Sequence, residues 1–279
     1  MRPALLRLAF WLAAQALATS ALAQVPPTPE PEPPAPAANT VWEGAIGLSS
    51  SYRPEYSGAS RQVFKVTPAL FLRYGRFTIT NASGFVTRRA DDVVRGLGLD
   101  MVRSETYRVN LALRFDAGRS ESSSADLAGL GDIKPTVRTR LAASWKLEGP
   151  WRLGASWSVD ALGRGGGNFG DLSVGWEQRL SPDTVFTLGS GLSLAGDRYM
   201  QTYYGISAEQ AARTSYPVYT PSAGLRDAAL FANWRHDLGE DWILLAGAGA
   251  NRLLGPAADS PLTRSKSTWG LSAGFARRF

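Results

Sequence analysis

The stretch TYRVNLALRFD (residues 106–116) has two faces. Tyr107, Val109, Leu111, Leu113 and Phe115 fall on one side. Arg108, Asn110, Arg114 and Asp116 fall on the other. A period of two is that of a strand, because successive Cβ atoms point to opposite faces. The same form recurs along the chain. WRLGASWSVD (151–160) sets Trp151, Leu153, Ala155, Trp157 and Val159 against Arg152, Ser156, Ser158 and Asp160. DLSVGWEQRL (171–180) sets Leu172, Val174, Trp176 and Leu180 against Ser173, Glu177 and Arg179.

Alternation alone predicts about twelve such strands. They begin near Trp42, Gln62, Arg76, Val93, Thr106, Lys134, Trp151, Asp171, Thr184, Ser222, Trp242 and Thr268. Every second connection is tight: YGR (74–76), SE (104–105), EGP (148–150), SPD (181–183) and LGED (238–241). The others are mostly longer and polar, such as GRSESSSADLAGLGD (118–132) and the stretch from Asp197 to Pro221. One short helix is expected at Ser207–Arg213. Short turns at one end and long loops at the other predict an all-β fold: a transmembrane antiparallel up-and-down β-barrel with periplasmic turns and outer loops. Trp42, Tyr74, Phe77, Tyr107, Trp145, Trp151, Phe186, Trp234, Trp242 and Phe279 lie beside the tight turns or at the chain ends. They predict an aromatic girdle at the periplasmic interface. A soluble all-β sandwich is the competing reading.

The last residues, TWGLSAGFARRF (268–279), continue the alternation to the stop. A closed barrel pairs its last strand with its first and leaves no edge, so a chain that ends inside a strand fits closure. Trp269, Leu271, Ala273, Phe275 and Phe279 share lipid-facing parity, in the manner of the C-terminal assembly signal of outer-membrane proteins. Arg277 interrupts it.

The N-terminus reads as a cleaved secretory signal (1–23). Arg2 and Arg7 precede an apolar run, Leu8 to Ala18, and Ala21-Leu22-Ala23 gives the small-x-small site. Residues 24–40 form a proline-rich lead, an extended spacer or a partner-binding peptide. The barrel is assigned to 41–279. The formal charge of +6 falls to +4 once Arg2 and Arg7 are removed. In an exported chain, that excess meets lipid headgroups or solvent rather than nucleic acid. The absence of cysteine excludes disulfides, thiol chemistry and Cys-based metal sites.

Five loop motifs stand in order: PEYSG (54–58), LAGLGD (127–132), DRYMQTYYGIS (197–207), PSAGLRD (221–227) and ADSPL (258–262). Together they resemble the MltA-interacting protein family, also called MipA/OmpV, over essentially the whole chain beyond the lead. The resemblance implies an outer-membrane scaffold that joins a murein lytic transglycosylase to a bifunctional penicillin-binding protein. Its motif residues are Pro54, Glu55, Tyr56, Gly58, Gly129, Gly131, Asp132, Tyr203, Tyr204, Gly205, Asp259, Ser260 and Pro261. All lie on or beside the outer loops, whereas a murein enzyme approaches from the periplasm. They therefore read as residues that fold loops into the barrel mouth, or as a binding surface. A periplasmic partner would meet the tight turns, the lead or the lower mouth.

Lumen parity collects Arg108, Arg114, Arg138, Arg140, Arg152 and Arg179 as candidate basic residues, with fewer carboxylates. Two readings stand: a salt-bridged plug, or a narrow anion-preferring pore. Catalysis has one histidine to work with, His236, placed beside a tight turn, so a non-enzymatic role is expected. GRGGGNFG (163–170) lacks the Lys-Ser/Thr and following helix of a phosphate loop and reads as a flexible outer loop. No motif calls for a cofactor or metal.

Overall fold

The structure, a computed structural model, describes residues 42–81 and 95–279. The signal and lead assigned to 1–40 lie outside them, as does the expected strand start at Val93. Among the described residues there are twelve strands: β1 (Trp42–Pro54), β2 (Gln62–Tyr74), β3 (Phe77–Thr80), β4 (Gly96–Arg103), β5 (Tyr107–Asp116), β6 (Thr136–Lys146), β7 (Trp151–Asp160), β8 (Asn168–Ser181), β9 (Thr184–Ala195), β10 (Gly224–Leu238), β11 (Trp242–Leu253) and β12 (Ser267–Arg278). Each pairs antiparallel with its sequence neighbours, and β1 pairs with β12 to close the barrel. Closure removes the sandwich reading, which requires two open sheets.

Closure uses the last residue. The Phe279 N–H donates to the Gly44 carbonyl at 2.9 Å, and the Gly44 N–H donates to the Phe279 carbonyl at 3.0 Å. A side chain at position 44 would fall inside the Phe279 ring, so glycine there makes the seat of the terminal aromatic.

The side-chain distribution is inverted relative to a soluble protein. Leu48, Phe64, Phe115, Leu141, Leu172, Leu230 and Leu271 are exposed on the outer wall, Phe115 by 74%. Arg73, Asn110, Thr136, Arg138, Ser158, Asp227 and Asp237 are buried inside. At the tight-turn end Trp42, Tyr74, Phe77, Tyr107, Trp145, Trp151, Trp242 and Phe279 are exposed, and Trp42 packs on Tyr74 at 4.9 Å. Phe186 and Trp234 join this ring half-buried, paired across β9 and β10.

At the long-loop end the connections carry their own structure. The β9–β10 loop holds helices α1 (Asp197–Tyr204) and α2 (Ala208–Ala211). The β11–β12 loop holds α3 (Gly255–Ala258). Helix α2 falls within the expected helical stretch. Ser207 caps it, and Gln210 returns a hydrogen bond to the Ser207 N–H, a capping box. Two single-turn 3₁₀ segments, Glu121–Ser123 and Ala125–Leu127, shape the β5–β6 loop, each capped by a serine.

Candidate functional site: a capped, arginine-lined lumen

The long loops fold together over one end of the barrel as a cap with two apolar cores. The first joins Tyr56 and Ala59, Leu127 and Leu130, Ile206, and Leu262 from four different loops. The second packs Met200 and Tyr204 of α1 against Ala257 and Ala258 of α3 and the wall residues Ala195 and Leu253. A fully buried leucine, isoleucine or methionine contributes about 1.5–3 kcal/mol. Polar bonds knit the same loops. Tyr56 Oη donates to the Leu262 carbonyl at 3.0 Å, and Gln210 Nε2 to the Leu130 carbonyl at 2.6 Å. Arg264 reaches Asp126 at 3.1 Å and lies over the Tyr216 ring.

Most motif residues are parts of this cap. Pro54 ends β1. Glu55 faces Arg61 at 3.8 Å. Gly58, Gly129 and Gly131 take positive φ (96°, 83° and 76°), which a side chain would strain. The N–H groups of Gly129 and Gly131 donate to the Glu121 carboxylate at 3.0 and 2.9 Å. Asp132 accepts from the Ser120 hydroxyl and the Glu121 N–H at 2.9 and 2.8 Å, which hold its carboxyl below the usual range. Tyr204 Oη meets Ser57 Oγ at 2.8 Å, and Ser260 Oγ donates to the Tyr204 carbonyl at 2.6 Å. The Gly205 N–H ends α1 by bonding the Met200 and Gln201 carbonyls. Asp259 is exposed beside Lys266, and Pro261 is half-buried next to buried Leu262.

The cap is fastened to the wall at Arg138. Its Nε donates to Asp116 at 2.6 Å, and its Nη atoms donate to the Gly166 and Gly167 carbonyls at 3.0 and 3.2 Å. Tyr203 Oη donates to the same Asp116 oxygen at 3.2 Å. The glycine-rich loop is thus pinned rather than free. Gly163, Gly165 and Gly167 turn it at positive φ, and a Cβ at Gly167 would collide with the Tyr199 backbone. Arg138 and Arg226 both stack on Phe169 (5.2 Å each) and on Tyr199 (5.5 and 5.4 Å). Burial first, and the Asp116 carboxylate second, push the Tyr203 phenol up to about 12. Burial likewise raises Tyr56 and Tyr204.

Beneath this layer the lumen is divided. Ala45, Ala69, Phe71, Ile243 and Ala276 pack inward from β1, β2, β11 and β12. The facing walls carry small inward residues instead, and a cavity of about 580 Å³ remains. Arg108, Arg140 and Arg152 line it, with Asp171 and Glu177. Arg114 and Arg138 lie nearer the cap, outside that lining. Arg179 is exposed at the tight-turn rim, on the same wall position as Val185. Arg226 escapes strict alternation, because a bulge between Leu225 and Asp227 turns both Arg226 and Asp227 inward.

His236 stacks on Trp234 at 5.5 Å, and its Nδ1 meets the Thr184 hydroxyl at 2.9 Å near the tight-turn end. Among the described residues no three His, Cys, Asp or Glu side chains gather as a metal site.

Comparison with solved structures finds barrels. The NanC porin superposes with a TM-score of 0.43 at 7% identity, covering 83% of this chain and 98% of the porin. An anion-selective porin from Comamonas acidovorans gives 0.37 at 9% identity, over 86% and 99%. A Pseudomonas aeruginosa FadL homologue gives 0.37 at 9%, over 85% and 89%. No curated protein sequence matches the chain. Residues 46–279, nearly the whole barrel and all five loop motifs, match the family described as MltA-interacting protein MipA, and the chain belongs to that family.

Proposed function

We propose that the protein is a non-enzymatic barrel of the Gram-negative outer membrane, closed at its outer mouth, that serves as an envelope scaffold for murein-remodelling enzymes. The observation that carries this reading is the cap. Two packed apolar cores and the Arg138–Asp116–Tyr203 fastening occupy one mouth of the barrel, where an open pore would keep water. The exposed apolar wall supports membrane placement, since a lipid-facing barrel is apolar outside and polar within. The aromatic ring supports an interface at the tight-turn end, and that end is assigned to the periplasm. The family description names an MltA-interacting protein, which supports a protein partner. A lytic transglycosylase and a bifunctional penicillin-binding protein are the partners the family resemblance implies. They would meet the tight turns, because the cap faces the other way. The lone histidine stacks on Trp234 beside a turn, which favours a structural role.

A narrow anion-preferring channel is the second reading, favoured by the arginines along the lumen. Planar-bilayer conductance of the refolded mature chain in a salt gradient separates the two. The scaffold reading expects a folded, electrically silent barrel. It also expects transglycosylase binding to survive loop trimming and to fail when the periplasmic turns are changed. Discrete, anion-selective steps from the unaltered chain would make the channel the primary function.

A further inference from the structure

We infer that the cavity beneath the cap is a binding site for a neutral cyclic sugar, a monosaccharide or disaccharide, that stacks on the ring of Phe231. Such a site is independent of scaffolding: it needs only the barrel and its lumen.

The platform comes first. Phe231 of β10 turns inward and lines the cavity of about 580 Å³. It sits in a row of paired positions that runs Gly175, Gly189, Phe231, Gly249 and Gly270 across β8 to β12. A Cβ at Gly189 would fall on the ring, so the ring lies over that glycine. With glycine on both sides, no neighbouring side chain in the row covers it, and it is half-buried. Phe71 and Ile243, by contrast, are fully buried in a packed cluster. The face of an aromatic ring is the negative end of its quadrupole. The C–H hydrogens on one side of a sugar ring suit such a face, and the sugar hydroxyls then point outward around the edge.

The surroundings give the ligand class. The next row toward the tight turns carries Thr187, Asn233 and Ser272. Ser144 and Ser173 line the cavity from β6 and β8. Among the described residues these five side chains hold no hydrogen bond to the protein, and each offers a donor and an acceptor. The charged groups are set against one another. Arg140 stands 3.5 Å from Asp171, and Arg152 stands 3.6 Å from Glu177. A charged ligand would compete with these pairs, whereas a hydroxyl both donates and accepts and can bridge them. The volume falls within the range of small-molecule sites, about 300–1,000 Å³. Arg108 and Arg152 line the cavity one residue into their strands from tight turns, so it reaches the end opposite the cap, where a solute would enter.

The chain has no cysteine, so one can be introduced as a unique reporter. Gly175 lies one strand beyond Gly189 from Phe231, and a Cβ there meets nothing nearer than 4.0 Å. The test is the rate at which uncharged methyl methanethiosulfonate modifies the Gly175→Cys chain in lipid nanodiscs, with glucose, N-acetylglucosamine or maltose present. A ligand at about ten times its dissociation constant leaves about one site in ten empty. At least one of the three sugars should therefore slow modification about 10-fold at such a concentration. Citrate, spermidine and open-chain sorbitol should leave the rate unchanged. Adding Phe231→Leu should abolish the protection. No slowing by any of the three sugars, equal slowing by citrate or sorbitol, or protection that persists in Phe231→Leu would overturn the proposal and leave Phe231 as lumen filling. The sugar and control rates are read in the Gly175→Cys chain alone, so a folding defect in the Phe231 variant leaves the test intact.

Discussion

Arg138 shows how much a single residue carries in this fold. Lumen parity places it with five other arginines as a candidate pore residue, yet it is buried, and its contacts run to Asp116, two loop carbonyls and two aromatic rings. Removing one member of a buried pair costs about 3–5 kcal/mol, because the partner charge is left behind. Arg138→Gln should therefore lower chemical stability by about 3 kcal/mol, less to the extent that solvent reaches Asp116. Adding Asp116→Asn should restore part of the loss. A double-mutant cycle on urea unfolding in vesicles measures this; strictly additive losses would mean the two side chains do not act together. Arg277 is the opposite case, a charge on the apolar face. It lies over Trp242, the first residue of β11, at 5.8 Å and reaches Asp241, in the turn before it, at 3.8 Å. An arginine near the interface costs about 0–1 kcal/mol, and these contacts offset that.

The strands are legible in sequence because a two-sided wall imposes a period of two on every residue. Ten of the expected starts fall within two residues of the observed ones, while β8 begins three earlier, at Asn168, which brings Asp171 inside the wall. The cap is less legible. Helix α1 has a glycine at its N-cap with no side-chain bond, so no capping residue marks its start, and its apolar stripe of Tyr199, Met200, Tyr203 and Tyr204 covers only two turns, too short to stand out among strands. Its tyrosines are visible as a motif, but their neighbours come from loops far away in the chain. The cap also makes a prediction about pH. An unfolded tyrosine titrates near pH 10, whereas Tyr203 is pushed up to about 12. A folded-state value above the unfolded one favours the protonated form in the fold. The contribution is complete below about pH 10 and is lost as pH rises through about 12. Phenolate absorbance should show a late phase near pH 12, accompanied by loss of near-ultraviolet tyrosine dichroism and reduced in Tyr203→Phe. A titration finished near pH 10 would mean that the cap does not shield this phenol.

Across the whole molecule, function turns on how the lumen is filled. One wall packs Phe71 and Ile243 inward, the opposite walls leave a basic cavity, and the cap closes the long-loop end. Twelve strands enclose more room than side chains fill in an eight-stranded barrel, and here the loops cover the long-loop end of it. The β9–β10 loop contributes most, since Met200, Tyr204 and Ile206 are fully or almost fully buried in the cap. Register between β9 and β10 runs from Gly224↔Ala195 to His236↔Thr184 without help from that loop. Replacing residues 197–222 by a short glycine-serine linker should therefore keep the barrel closed, with unchanged heat-modifiable gel mobility, while opening the mouth. The shortened barrel is expected to conduct in discrete steps with anion preference, and Arg140→Glu in that background should weaken or reverse the preference. A folded, shortened barrel that stays silent would place the seal lower, in the Phe71–Ile243 layer, and Phe71→Ala would be the next variant to record.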